Sequence, residues 1–156
     1  MNKLLAATVF TLAIASSVPA VAGGVLSDAK APHIIHSGAH PNNARVPSTH
    51  HFKVHVQGSD LLKLIVEVPE EISISDRIVV TDESGKKLEN TVSVNNRKLT
   101  VAFSQPVPTG TTLSVSLKDV ISQSFSRRIW LYSVYSRSVG MSEVILIGIA
   151  RIQTYR

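Results

Sequence analysis

The feature that most constrains the fold of this chain is an alternation of apolar and polar residues with a period of two. It is clearest in residues 112–117, where Leu113, Val115 and Leu117 alternate with threonine and serine. Residues 98–103 repeat it, with leucine, valine and phenylalanine between lysine, threonine and alanine. Because successive side chains of a β-strand point to opposite faces, this pattern predicts strands that bury one face.

Other segments have the same character and are separated by residues that favour turns. Pro69 ends one of them, the run 82–85 (Asp-Glu-Ser-Gly) follows another, and Asn95-Asn96 separates the arms of a hairpin. The predicted strands are residues 51–57, 61–68, 77–81, 91–94, 98–103, 112–117, 129–135 and 144–155. About eight strands at this spacing, without a helical stripe, predict an all-β fold, an antiparallel β-sandwich of the immunoglobulin-like type.

The last predicted strand departs from the alternation. Residues 144–149 are apolar on both faces, which predicts a central strand that is covered on both sides. Beyond them, Arg151 and Gln153 alternate with Ala150 and Ile152. We therefore expect one face of this strand to reopen to water near its end.

The N-terminus has a different pattern, that of a secretory signal. Lys3 precedes an apolar run over residues 4–15, and the small residues Ala20-Val21-Ala22 follow. Pro19 helps to end the run short of the about 20 apolar residues that span a membrane. We expect residues 1–22 to be a cleaved signal peptide. This predicts export to the periplasm, the thylakoid lumen or the cell exterior, with no membrane span after cleavage.

The remaining 134 residues, 23–156, suit a single domain with one core. Residues 23–50 are rich in glycine, proline and asparagine and are predicted to be a loop-like N-terminal arm. Within them, residues 33–36 have a short strand character. Residues 51–156 are predicted to be the β-sandwich domain. The sequence has no cysteine, so disulfides and thiol chemistry are excluded and packing alone must stabilise the fold.

The charge of the chain is modest, with a formal net charge of +5. It favours contact with an acidic glycan, a lipid headgroup or an anionic protein. Basic runs with interleaved aromatic residues, which stack bases, are missing from the sequence. We therefore expect an envelope protein or a glycan as the partner, and no nucleic acid.

Motifs that carry catalysis are missing as well. The paired carboxylates Glu70-Glu71 and Asp82-Glu83 are adjacent in turns, whereas glycosidases hold two carboxyl groups across a cleft. The sequence contains no Gly-x-Ser-x-Gly elbow, His-Glu-x-x-His motif, P-loop or dinucleotide fingerprint. We expect no enzymatic activity, no catalytic residue and no cofactor.

The histidines are the unusual feature, since all six lie between positions 33 and 55. On a strand, His51 and His55 share a face but lie about 13 Å apart, too far to bind one ion together. Imidazole suits Zn²⁺, Cu²⁺ or Ni²⁺. Three interpretations stay open: incidental polar residues, a divalent metal site, or a response to pH. The candidate metal ligands are His33, His36, His40, His51 and His55.

The aromatic residues near position 130 allow two interpretations. Trp130 and Tyr132 share one face of a predicted strand, and Tyr135 lies on the other. With Arg127 and Arg128 they form a possible binding face on which sugars stack. The alternative is that the aromatic rings belong to the core and its rim.

A resemblance to a known family rests mainly on residues 105–113, Gln-Pro-Val-Pro-Thr-Gly-Thr-Thr-Leu. Less specific matches lie at residues 66–70, 99–103, 117–120, 129–134 and 147–152. With these, residues 64–155 resemble the exported cyanobacterial proteins grouped as domain of unknown function 2808. The resemblance implies a signal peptide, one β-rich domain and a cyanobacterial source, and supplies no activity. The chain departs from the family pattern at residues 122–128, where a Gly-rich loop is expected, and in its histidine content.

Together these features predict an exported, non-enzymatic binding or structural module of the cell envelope. The alternative is a histidine-dependent protein that binds Zn²⁺, Cu²⁺ or Ni²⁺.

Overall fold

The computed structural model describes residues 30–124, 126 and 128–155. Within them the chain forms ten β-strands: β1 (His33–His40), β2 (Ser48–His55), β3 (Leu61–Glu67), β4 (Ile72–Ser73), β5 (Ile78–Thr81), β6 (Asn90–Asn95), β7 (Lys98–Val107), β8 (Thr112–Ser122), β9 (Ile129–Ser138) and β10 (Ile145–Gln153). The described residues contain no helix that is long and apolar enough to cross a membrane. The predicted signal peptide, residues 1–22, lies outside the described residues.

The strands form two antiparallel sheets. In the first sheet the order is β1-β2-β8, and the short strands β4 and β5 both pair with the far side of β8. In the second sheet the order is β10-β9-β3-β7-β6. The prediction of an all-β antiparallel sandwich is therefore confirmed.

The core lies between the two sheets and consists of the apolar halves of the alternating strands. Leu113, Val115 and Leu117 of β8 are fully buried, and so are Leu99 and Val101 of β7. Each buried side chain of this size contributes roughly 1.5–3 kcal/mol relative to an exposed one. Packing of these faces therefore stabilises a chain that has no cysteine and so no disulfide.

A buried hydrogen bond joins the two sheets through the core. His50 on β2 and Tyr132 on β9 belong to different sheets, and Nδ1 of His50 lies 2.6 Å from the Tyr132 hydroxyl oxygen. Nearby, the Trp130 indole N–H donates to Oγ1 of Thr154 at 3.1 Å. Buried polar groups need hydrogen-bond partners, and these two bonds supply partners for polar groups in the core.

The Pro/Gly segment between β7 and β8 forms a turn that ties the loops together. The backbone N–H of Thr109 donates to Oδ1 of Asp60 at 3.1 Å, and that of Gly110 donates to the Val56 carbonyl at 2.8 Å. Gly110 has a φ of +87°, a backbone conformation that residues other than glycine seldom adopt. These contacts support a scaffold role for the segment that carries most of the family resemblance.

The structure differs from the prediction of a loop-like arm over residues 23–50. β1 is an edge strand paired with β2, and β2 begins at Ser48 rather than near His51. Ile34 and Ala39 of β1 pack against the core. A register shift between Ile34 and His36 interrupts the alternation, so the strand is hard to recognise from the sequence. The short strand character of residues 33–36 is confirmed, and the loop prediction is wrong for residues 37–40 and 48–50.

The prediction that residues 144–149 form a central, covered strand is also wrong. β10 is the edge strand of the second sheet, and its partner strand is β9. A register shift between Leu146 and Gly148 changes the sides to which the apolar residues point. Leu146 and Ile149 point outward, while Ala150 and Ile152 are buried. The expected reopening to water at Arg151 and Gln153 is confirmed, since both are exposed.

Candidate binding surface

The aromatic binding face predicted at Trp130 and Tyr132 is wrong, because both side chains are fully buried. Arg128 is exposed, and Arg127 lies outside the described residues. The sequence pattern could not show which side of this strand faces the core, because Ile129 and Leu131 make the other side apolar too. The alternative interpretation, with both rings in the core, is correct.

The opposite side of the same strand carries the exposed apolar residues. Ile129 and Leu131 of β9 are 40% and 53% exposed, and Leu146 and Ile149 of β10 are 55% and 53% exposed. Ile149 lies opposite Ser133, so it is diagonal to Leu131 across the strand pair. We call these four side chains the apolar face. Neighbouring exposed side chains of this size commonly mark an interaction site.

A groove of about 360 Å³ adjoins the apolar face and shares Leu131 with it. Its polar lining includes Glu67, which lies opposite Lys98 on β7 and opposite Ser133 on β9. The Tyr135 hydroxyl donates to Oε2 of Glu67 at 3.3 Å. Desolvation is the main cause of the raised pKa of Tyr135, and the charge and hydrogen bond of Glu67 raise it further. The groove thus places charges of both signs beside an aliphatic surface.

The rim of the groove is held by backbone geometry. Asn96 and Arg97 both have positive φ, at 46° and 61°, as a type I′ hairpin turn requires. The predicted hairpin between β6 and β7 is therefore confirmed. The Arg97 carbonyl accepts a hydrogen bond from the Val68 N–H at 2.8 Å, and its guanidinium pairs with Glu70 at 3.2 Å. These contacts position a positive charge at the end of the groove.

The candidate metal ligands lie on the outer face of the first sheet. His33 lies opposite His55, with ring centroids 5.5 Å apart, and His36 stacks on His51 at 5.6 Å. His40 is exposed near the other end of β1. In the part of the chain that the structure describes, no group of three or more potential metal-binding side chains is close enough to hold an ion. The structure therefore brings the histidines together as two pairs.

His50 is a functional-type residue outside the predicted set of candidate ligands. It is the histidine that points inward, and burial, followed by the nearby His51, lowers its pKa to about 4. The sequence contained a signal for this, because His50 is in phase with Phe52 and Val54. A histidine in phase with core residues is a core histidine.

The paired carboxylates have structural roles. Asp82 accepts hydrogen bonds from the backbone and hydroxyl of Ser84 and from the Lys86 N–H, and the Ser84 hydroxyl is the main cause of its lowered pKa. Glu83 accepts from the Thr112 N–H at 3.1 Å. Both carboxylates therefore order the turn after β5.

A second concavity of about 530 Å³ lies beside the Pro/Gly turn. Phe103 and Leu88 form part of its lining, and both also pack against the core. Its other walls include the long side chains of Lys86, Lys87 and Glu89. It is therefore an extension of the scaffold between two loops. The apolar face instead lies on the outer side of two strands, where Arg151 is opposite Leu131 and Gln153 is opposite Ile129.

Comparison with known proteins gives a family. The sequence model of a family described as "Protein of unknown function (DUF2808)" matches residues 26–144. No curated protein sequence matches the chain.

Comparison with solved structures gives the fold. The N-terminal domain of the Streptococcus gordonii adhesin Sgo0707 is similar with a TM-score of 0.56 and 10% identity, over 81% of this chain and 33% of that chain. The collagen-binding domain of a Staphylococcus aureus adhesin has a TM-score of 0.47 and 8% identity, over 79% and 97%. A non-cellulosomal cohesin from Archaeoglobus fulgidus has a TM-score of 0.45 and 11% identity, over 81% and 92%. The predicted immunoglobulin-like sandwich is confirmed, and identities this low show the fold alone.

Proposed function

The chain belongs to the DUF2808 family of proteins of unknown function, and we propose that it is a non-enzymatic module that binds a protein partner. The partner lies against the outer face of the second sheet. The observation that carries the proposal is the apolar face, with four large aliphatic side chains 40–55% exposed on neighbouring strands. The fold is shared with a domain of an adhesin, which supports a binding role.

The chemistry of the face favours a protein over a sugar. Leu131, Leu146 and Ile149 are aliphatic, and burying the exposed half of each contributes roughly 1 kcal/mol. Sugars stack on aromatic rings, whereas Trp130 and Tyr132 are buried. An aliphatic centre beside charged groups of both signs is the usual composition of a protein interface.

We place the partner in the cell envelope. Support comes from the signal-peptide pattern of residues 1–22. Export to the periplasm, thylakoid lumen or cell exterior and a cyanobacterial source stay predictions.

Site-specific photocrosslinking tests the proposal. A photoreactive amino acid is placed at Leu131 or Ile149 of the tagged chain and irradiated in the native host. We expect one defined crosslinked protein from both positions, and loss of that product when Leu146→Asp is added, because a charge on the face prevents its burial.

Ile121 provides the matched control, since it is 51% exposed on β8 of the other sheet. A probe at Ile121 should leave the product unlabelled, and Ile121→Asp should not reduce crosslinking from Leu131. Equal labelling from Leu131 and Ile121 would contradict the proposal. Circular dichroism of each variant checks that the sandwich is intact.

A further inference from the structure

The outer face of the first sheet carries a row of histidines that the proposed protein interface does not use. His33, His36 and His40 on β1 face the same side as His51 and His55 on β2. The register places His33 opposite His55, Lys53 opposite His36, and Gly38 opposite His51. We call these five histidines, with Lys53, the histidine face. It extends about 20 Å along the strands at about 3.3 Å per residue.

Gly38 allows the imidazoles to pack closely. The His51 ring lies over the Gly38 backbone, and a Cβ at position 38 would lie 3.1 Å from Cε1 and Nε2 of that ring. With no side chain there, His51 reaches across β1 and stacks on His36 with an interplanar angle of 30°. Protonation of one ring therefore places a positive charge next to another titratable ring.

The charged groups around the row are predominantly basic. Around His51 these are Lys53 on its own strand, His36 and His40 on β1, and Lys118 on β8. Burial is the main cause of the lowered pKa of His51, and these four groups lower it further. An anion that binds here would offset the repulsion among them.

The carboxylates at the two ends of the row are already engaged. At one end, Nδ1 of His55 lies 3.1 Å from the Thr112 hydroxyl oxygen, and the Thr112 N–H donates to Glu83. At the other end, Asp119 forms an ion pair with Arg77. Three basic side chains, those of Lys53, Arg77 and Lys118, thus face two carboxylates, those of Glu83 and Asp119. The histidines therefore decide the net charge of this surface.

Hydroxyl groups form the strip beside the histidines. Thr112, Ser114 and Ser116 of β8 lie opposite His55, Lys53 and His51, and all three are partly exposed. Cationic rings next to a row of small hydroxyl side chains form a flat polar surface. Such a surface matches an extended chain that carries both anionic groups and hydroxyl groups.

We propose that the histidine face binds an acidic polysaccharide, carrying carboxylate or sulfate groups, under acidic conditions and releases it near neutrality. Protonated imidazoles supply the positive charge, and the β8 hydroxyls bind the sugar hydroxyl groups. Because the polyanion stabilises the protonated rings, binding takes up protons, and added salt weakens it. This surface is on the opposite sheet from the apolar face and stands independently of the protein partner.

Affinity chromatography of the purified full chain tests the proposal. The probes are immobilised heparin, which is sulfated, polygalacturonate, which is carboxylated, and uncharged dextran. We expect retention on either polyanion to be about tenfold stronger at about pH 5 than at about pH 7.5, and no retention on dextran. Calorimetry in buffers of different ionisation enthalpy should detect proton uptake on binding.

The variant His36→Gln/His51→Gln should lose most of the retention at about pH 5. Lys63→Gln, on the outer face of the other sheet, removes a positive charge and serves as the control that should bind normally. Retention that does not depend on pH, or an equal loss in both variants, would overturn the proposal. Preference for vesicles of anionic lipid over both polysaccharides, or heat of binding with Zn²⁺ or Cu²⁺ in place of polyanion binding, would overturn it as well.

Discussion

At the scale of the residue, the buried pair of His50 and Tyr132 connects protonation to stability. The folded protein holds the pKa of His50 at about 4, against about 6.5 in the unfolded chain. The unfolded state therefore binds more protons between these two values. The stabilisation is fully present above about pH 6.5 and is lost as the pH falls towards 4.

We predict that acidification from pH 7 to about 4 lowers the free energy of unfolding by up to about 3 kcal/mol through His50. His50→Leu should lose this part of the pH dependence, and at pH 7 it should cost about 1–3 kcal/mol because the Tyr132 hydroxyl loses its partner. Urea titrations at both pH values measure the effect. An unchanged pH slope in the variant would show that other groups are responsible.

Two serines on the inner side of β9 suggest a stabilising substitution. The hydroxyls of Ser136 and Ser138 are buried and have no hydrogen-bond partner in the described part of the chain. Removing an unpaired buried hydroxyl relieves its desolvation cost. We predict that Ser136→Ala raises the free energy of unfolding by about 1 kcal/mol. Ser133→Ala, on the outer side of the same strand, should change it by less than about 0.5 kcal/mol.

At the scale of the element, β10 shows how far a pattern can be interpreted. Its residues read as a fully covered strand, yet it is an edge strand with one side open. Two different structures produce the same apolar run: a central strand, and an edge strand whose outer side is a binding surface. Alternation distinguishes buried from solvated faces, but it treats an exposed apolar face as buried.

Paired substitutions on β10 test this assignment. Ile152→Ala should cost about 2–5 kcal/mol because Ile152 is buried in the core. Ile149→Ala should cost less than about 1 kcal/mol, since Ile149 is more than half exposed. Chemical denaturation of the two variants gives the comparison. Equal losses would mean that β10 is covered on both sides.

At the scale of the whole molecule, the sandwich is closed along the seam between β1 and β10. The Ser37 hydroxyl donates to the Arg151 carbonyl at 2.8 Å. Beyond the strands, the Ala44 N–H donates to the Tyr155 carbonyl at 2.8 Å, and the Tyr155 N–H donates to the Asn42 carbonyl at 2.6 Å. The segment predicted to be a loop-like arm is thus hydrogen-bonded to β10 and to the residues that follow it, and the described residues leave one outer face of each sheet uncovered.

The two proposed surfaces lie on these opposite faces, so they should act independently. We predict that Leu146→Asp leaves retention on heparin unchanged and that His36→Gln/His51→Gln leaves crosslinking from Leu131 unchanged. The variant that combines the substitutions should lose as much crosslinking as Leu146→Asp alone and as much retention on heparin as His36→Gln/His51→Gln alone. Distant sites without shared partners do not couple. A measured interaction between them would indicate that one ligand contacts both sheets.

Period-two alternation is a local property of each strand. It therefore predicted the longer strands from residue 61 onward, the hairpin between β6 and β7 and most of the core, but not the two-residue strand β4. The sequence also limited the chemistry, since no cysteine or catalytic motif is present. The fold was needed to show that Trp130 and Tyr132 point inward, that β10 is an edge strand, and that His36 stacks on His51. These facts depend on which strand lies beside which, and contacts between residues far apart in the chain leave no local pattern.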